Sequence, residues 1–229
     1  MDCKFSTKHY LETVNEYRDN GYHIGPVVDY FRNKVFDKHL VLRHDVDLSL
    51  DYALEMALLE KDNDIHATYY ILLTSDLYHA GSPGGREKVK AIREAGHEVG
   101  LHVDTRYYLG VLEFEILSQL AQRSVTTWCQ HLITVTPSLS LPRDAATIPY
   151  KYLSDSGMNW REGCWCNHVN KYDKMQVLIH PEWTMTSPAG KRNKFEIIED
   201  LKEEAKGTLV KGFAEFRDMV QEYIQVVKT

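Results

Sequence analysis

"HLVLRHDVD", residues 39–47, is the stretch on which the architecture turns. Leu40, Val41 and Leu42 form an apolar lead-in, and the charge then arrives within five positions: Arg43, His44, Asp45 and Asp47. Side chains alternate along an extended chain, so Arg43, Asp45 and Asp47 share one face and His44 takes the other. The Cα atoms of Asp45 and Asp47 are then roughly 6.6 Å apart. A strand that is apolar along its body and charged at its C-terminal end is a buried strand running out to a functional rim.

The flanking sequence repeats this design. Residues 49–61, "SLDYALEMALLEK", place Tyr52, Met56 and Leu59 at helical spacing behind a Ser49 cap. "HATYYILL" (66–73) reads as a buried strand, and "REKVKAIREAG" (86–96) as an amphipathic helix closed by Gly96. "HEVGLHVD" (97–104), the helix "LEFEILSQLAQRS" (112–124) and a short strand in "TWCQHLITV" (127–135) follow. Strands alternating with helices of this length predict a parallel sheet covered by helices. A first helix is expected over 6–20, capped by Ser6 and ended by Gly21, with Tyr10, Val14 and Tyr17 on its buried face. Residues 141–160 are irregular, "MQVLIH" (175–180) gives one more strand, and 193–229 reads as helical with a break near Gly207 or Gly212. No linker or repeat interrupts this pattern, so 1–229 is expected to be one domain.

Composition narrows the function classes. The chain of 229 residues is 43% apolar and 26% charged with a formal net charge of -6, an ordinary globular balance without a basic footprint for nucleic acid or an anionic membrane. No stretch approaches the ~18 apolar residues of a membrane span. The first 25 residues hold no apolar signal core, so a cytoplasmic location is expected. Cys3, Cys129, Cys164 and Cys166 are then expected as free thiols. "CWC" (164–166) has donors for a soft metal but lacks the matching second pair of a zinc motif.

The polar groups gather at the strands' C-terminal ends: Asp45 and Asp47, then His102 and Asp104, then His131, then His180. That rim is where parallel α/β folds build their sites. Two carboxylates beside imidazoles on one face repel and are costly to desolvate unless a cation lies between them or one holds a proton. A divalent metal resolves the conflict, and a mixed His/Asp set suits zinc, cobalt, nickel or manganese. His97 reads as a turn residue leading into its strand, and Trp160, Trp165 and Trp183 as candidate sugar-stacking faces or core.

In this order, "RHDVD", "HATYY", "GHEVGLHVD" and "VLIHPEW" resemble the motifs of the polysaccharide deacetylases of the NodB-homology type over about residues 40 to 185, in a divergent branch that spells its acidic motif "HDVD". The resemblance implies a distorted (β/α) barrel of seven strands. It implies Asp45 as general base, Asp47 and His102 as metal ligands, and His180 as general acid. Asp155 and Arg161 lie where the family orients its acid and base, and Trp183 beside the substrate. The family's second motif histidine falls on Arg106, which stays protonated and cannot ligate. Either His131 or Asp104 replaces it. His131 is favoured because a neighbouring strand reaches the metal from a new direction, leaving Asp104 to orient a ligand imidazole. The activity implied is metal-dependent hydrolysis of an N-acetyl or N-formyl group from a small or lipid-linked amino sugar in polysaccharide biosynthesis, with zinc as the first choice of metal. Two alternatives stand: another metal-dependent amidase on the same scaffold, or a degenerate carbohydrate-binding homologue without turnover.

Overall fold

The computed structural model describes residues 5–34, 36–108, 110–131, 141–186 and 192–207. Seven parallel strands form one curled sheet: β1 (His23–Gly25), β2 (His39–Val46), β3 (Thr68–Leu72), β4 (Glu98–Asp104), β5 (Trp128–His131), β6 (Lys151–Ser154) and β7 (Lys174–Leu178). Their order is β5-β4-β3-β2-β7-β6, with β1 on the first half of the β2 edge that β3 takes over further along. Strands 2 to 5 therefore succeed one another around the curl, β7 closes back onto β2, and the seam lies between β5 and β6. This is the distorted seven-stranded barrel the motifs lead one to expect. No helix among the described residues is long and apolar enough to cross a membrane.

β2 is buried at all eight positions because it is covered on both faces. Its odd residues Val41, Arg43 and Asp45 point into the barrel, where Val41 packs with Tyr70, Cys129 and Ala145. Its even residues, Leu40, Leu42 and Val46, join the larger core beneath the helices. That second layer holds α1 (Thr7–Asp19), α3 (Leu50–Asp62), α4 (Pro83–Glu94) and α5 (Val111–Ala121). Ser6 caps α1 by accepting from the His9 amide, and Tyr10, Val14 and Tyr17 are buried, as their spacing predicts. Gly21, at φ 80°, then turns the chain.

In α3 the buried face is Leu50, Ala53, Met56, Ala57 and Glu60, which leaves Tyr52 and Leu59 at its margins. The predicted stripe was rotated because small alanines and a glutamate form the contact. Gly100 of β4 is opposite Tyr70 of β3, and a Cβ there would lie 2.3 Å from the Tyr70 ring. The glycine makes room for a tyrosine inside the barrel.

The strands β1 and β6 and the short helices α2 (Val27–Phe31) and α6 (Pro181–Met185) are additions to the predicted order. Each is five residues or shorter, too short to show a period. A further helix spans 194–207 and seats Ile197 and Leu201 against Trp183. The rest of the helical segment predicted to 229 lies outside the described residues.

Candidate metal centre

The C-terminal rim brings together groups from five strands. Asp47 follows β2, His102 lies near the end of β4, His131 ends β5, and Asp155 and His180 follow β6 and β7. Asp45, Asp47, His102, His131 and His180 line one cleft of about 640 Å³, together with Arg161 and Trp183.

Asp47, His102 and His131 form its tightest group. Asp47 Oδ1 is 3.2 Å from His102 Nε2 and 3.5 Å from His131 Nδ1, and the two ring nitrogens are 3.1 Å apart. Ligands about 2.0–2.1 Å from a tetrahedral zinc sit about 3.3–3.4 Å from each other, so this triangle is of a size to hold that ion. Asp47 Oδ1 is buried and makes no hydrogen bond of proper geometry, although two imidazoles flank it. Burial pushes the Asp47 carboxyl up, but His102, His131 and His180 outweigh it and hold it well below the usual range.

The ring of His102 is oriented from behind. Its Nδ1 is 3.2 Å from the Cys129 carbonyl, which can only accept, so in the neutral ring Nδ1 carries the proton and Nε2 offers its lone pair to the triangle. The Cys129 thiol also touches Nδ1 at 3.1 Å and donates to Asp45 Oδ1 at 3.5 Å. Cys129 was not singled out in the sequence, where a lone cysteine in an apolar strand reads as core. Its register opposite His102 is the signal that could have found it.

Asp45 lies deeper. Arg43, stacked over Tyr70 at 5.4 Å, donates to Asp45 Oδ2 at 3.1 Å, and His102 Nε2 is 3.8 Å from the same oxygen. Arg43, on the same strand face, thus supplies a counter-charge to Asp45. His44 points the opposite way and takes no part in the cleft.

His180 is gripped by Asp155. The carboxylate accepts from the ring Nδ1 at 2.6 Å and from the His180 backbone N–H at 3.1 Å on each oxygen. The other ring nitrogen, Nε2, is 3.6 Å from Asp47 Oδ2. Burial works against a charge on this ring, but Asp155 and then Asp47 raise its pKa well above the ordinary imidazole value. With two N–H donors on Asp155, one of them shared between its oxygens, the imidazolium–carboxylate form is the one this pair favours.

Asp104 has another partner. Its oxygens receive the Arg106 guanidinium at 2.6 to 3.2 Å and the Arg106 amide at 3.0 Å, and no imidazole hydrogen bond to it is found among the described residues. Arg106, the residue at the missing histidine position, is therefore occupied in closing its own turn. Arg161 is exposed at the cleft wall. Trp183 borders the cleft 6.2 Å from the His180 ring but is buried against Ile197 and Leu201. Trp165 is not a stacking face: it is buried between Tyr10 and Tyr17, with ring centroids 5.8 and 5.5 Å away. His97 is a core histidine bonded to the Ala57 carbonyl at 2.9 Å.

Glu182 was missed. It is fully buried at the cleft margin, neither carboxylate oxygen has a hydrogen-bond partner among the described residues, and burial pushes its pKa up to about 8. Read in sequence as part of "HPEW", it looks like an ordinary first-turn glutamate of α6.

No protein-family model and no curated protein matches the chain. Among solved structures it is similar to the peptidoglycan deacetylase PdaC from Bacillus subtilis, at 15% identity and a TM-score of 0.43, over 81% of this chain and 97% of that one. It is also similar to the deacetylase PplD of Streptococcus pyogenes, at 15% identity and a TM-score of 0.44, over 76% of this chain and 81% of that one. A third similar structure is BA3943, a CE4 family pseudoenzyme from Bacillus anthracis, at 18% identity and a TM-score of 0.44, over 73% of this chain and 62% of that one.

Proposed function

We propose that this chain is a metal-dependent hydrolase that removes an N-acyl group, acetyl or formyl, from an amino sugar. The observation that carries this reading is the triangle of Asp47, His102 and His131 with Asp45 and the Asp155–His180 pair around it. A pure binding module needs neither a base nor an acid beside its metal ligands.

A divalent cation held by Asp47, His102 and His131 would supply Lewis acidity, polarising the acyl carbonyl and making water more acidic. Asp45 accepts the proton of the attacking water, its carboxylate steered by Arg43 and the Cys129 thiol. His180, kept protonated by Asp155, gives its Nε2 proton to the departing nitrogen. Tyr152 and Trp160 present aromatic surface along the same cleft, suited to the apolar face of a sugar ring.

The test is metal content measured beside acyl release from N-acetylated and N-formylated amino sugars. Asp47→Ala is expected to lose the bound metal and the activity together. Asp45→Asn is expected to keep the metal and lose roughly 10²- to 10⁴-fold in turnover, the usual contribution of a positioned base. Acyl release unchanged in both variants would overturn the reading. Metal retained by wild type without turnover on any such sugar would favour the non-catalytic homologue.

A further inference from the structure

A second group of metal donors lies away from the cleft. His9 in the first turn of α1, Cys164 at the start of a 3-10 turn (Trp165–His168) and Cys166 within that turn offer donor atoms that all lie within 4.8 Å of one another. His9 Nε2 is 3.2 Å from Cys164 Sγ, across 155 positions of sequence. All three residues are buried.

The surrounding packing holds these donors in register. Trp165, the residue between the cysteines, is clamped between Tyr10 and Tyr17 of α1, and Tyr17 donates its hydroxyl to the Trp165 carbonyl at 2.9 Å. With the tryptophan fixed on one side, the two cysteines on either side of it are presented together to His9. The helix and the turn are therefore already docked, and the donors need no large movement to close on an ion.

The donor chemistry selects the ion. One imidazole nitrogen and two thiols form a soft set suited to zinc, with Zn–S near about 2.3 Å and Zn–N near about 2.0–2.1 Å. Tetrahedral edges at those lengths run to roughly 3.8 Å between sulfurs, within the 4.8 Å that encloses the three donor atoms. Two buried thiolates without a cation would be costly, whereas zinc binding releases their protons to solvent and neutralises the pair.

We propose that His9, Cys164 and Cys166 form a structural zinc site that pins α1 to the turn at 164–168. The turn directly continues Trp160, Arg161, Glu162 and Gly163, which line the proposed substrate cleft. Zinc here braces one wall of the cleft and touches no substrate. The site stands on its own geometry and does not depend on the hydrolase reading.

The experiment is elemental analysis and X-ray absorption of the purified full chain loaded with zinc, beside Cys164→Ser/Cys166→Ser, His9→Ala, His9→Cys and Asp47→Ala. Wild type is expected to show a zinc–sulfur path near about 2.3 Å that the double serine variant lacks. The double variant should hold one zinc equivalent fewer, His9→Ala should also lose it, and His9→Cys should keep it. In wild type, zinc should shield Cys164 and Cys166 from alkylation and a chelator should expose them, a readout that needs no variant to fold. Equal zinc and an unchanged sulfur path in wild type and the double variant, or alkylation indifferent to the chelator, would overturn the proposal. Zinc lost through the cysteine changes but not through Asp47→Ala would leave this site standing and sink the metal centre of the cleft.

Discussion

Glu182 places a buried carboxyl where no donor among the described residues reaches it. An unfolded glutamate titrates near about 4.3, whereas burial, with Asp47 and Asp155 adding to it and His180 opposing, moves Glu182 up to about 8. Between those values the folded chain holds a proton that the unfolded chain has released, so stability falls as pH rises through the window. Glu182→Gln removes that penalty. In chelator-treated protein the variant should match wild type near about pH 5 and exceed it near about pH 8, by on the order of a few kcal/mol in denaturant titrations. A stability difference that does not change with pH would show that Glu182 is not held neutral. His180 is shifted in the same direction, so its contribution also declines as pH rises. Its raised pKa makes its acid form available to higher pH, and that benefit ends as pH climbs through the folded value. Asp155→Asn should therefore move the alkaline limb of the kcat/KM profile to lower pH and reduce turnover by roughly 10²-fold or more. An unshifted alkaline limb would show that Asp155 does not set the acid.

Among the elements, β2 and α3 are joined by a polar network the sequence hides. Glu60 is buried in α3 and accepts from the Tyr69 hydroxyl at 2.7 Å and from the Tyr10 hydroxyl, while His44 Nε2 lies 2.8 Å from it. His44 Nδ1 in turn meets the Ile179 carbonyl, one residue before His180, at 2.9 Å. The same strand thus sends Asp45 into the barrel and His44 into the layer that fixes it. Glu60→Ala would strand an imidazole and two hydroxyls in the core and should cost roughly 3–5 kcal/mol in equilibrium unfolding, with Glu60→Gln costing less. A cost under about 1 kcal/mol for the alanine change would mean the network is not sealed from water. Strand alternation made the cleft side of this arrangement legible: Asp45, Asp47, His102, His131 and His180 could be placed on a rim from their positions alone. It could not name partners across elements. Asp104 fell to Arg106, and Glu60 and Cys129 drew no notice as partners, because each depends on which neighbour packs against it. The strands β1 and β6 stayed hidden for a simpler reason, since three or four residues cannot display a period.

Across the whole molecule, the proposed metal centre lies where the strand ends of β2, β4 and β5 meet, close to the seam between β5 and β6. An ion shared by those ends would tie β2 to β5, which are not paired in the sheet. It binds the folded chain and not the unfolded one, so zinc at about 100 times its Kd should add about 2.7 kcal/mol. For a chain of this size that is a rise of several degrees in Tm, at about 2–4 °C per kcal/mol. The increment should depend on pH. Burial alone would push the His102 pKa down, but Cys129 and then the Asp45 and Asp47 carboxylates beside it raise it well above the ordinary value. A protonated imidazole cannot ligate, so protons compete with the metal and are released when it binds. The part of the zinc-induced Tm rise that Asp47→Ala abolishes should therefore be larger near about pH 8 than near about pH 6. Isolating that part by difference keeps it separate from any zinc on His9, Cys164 and Cys166. Calorimetry of zinc binding in buffers of different ionisation enthalpy should show the matching proton release. A pH-independent increment, or one that Asp47→Ala leaves intact, would mean that the ion is not held where His102 and Asp47 meet.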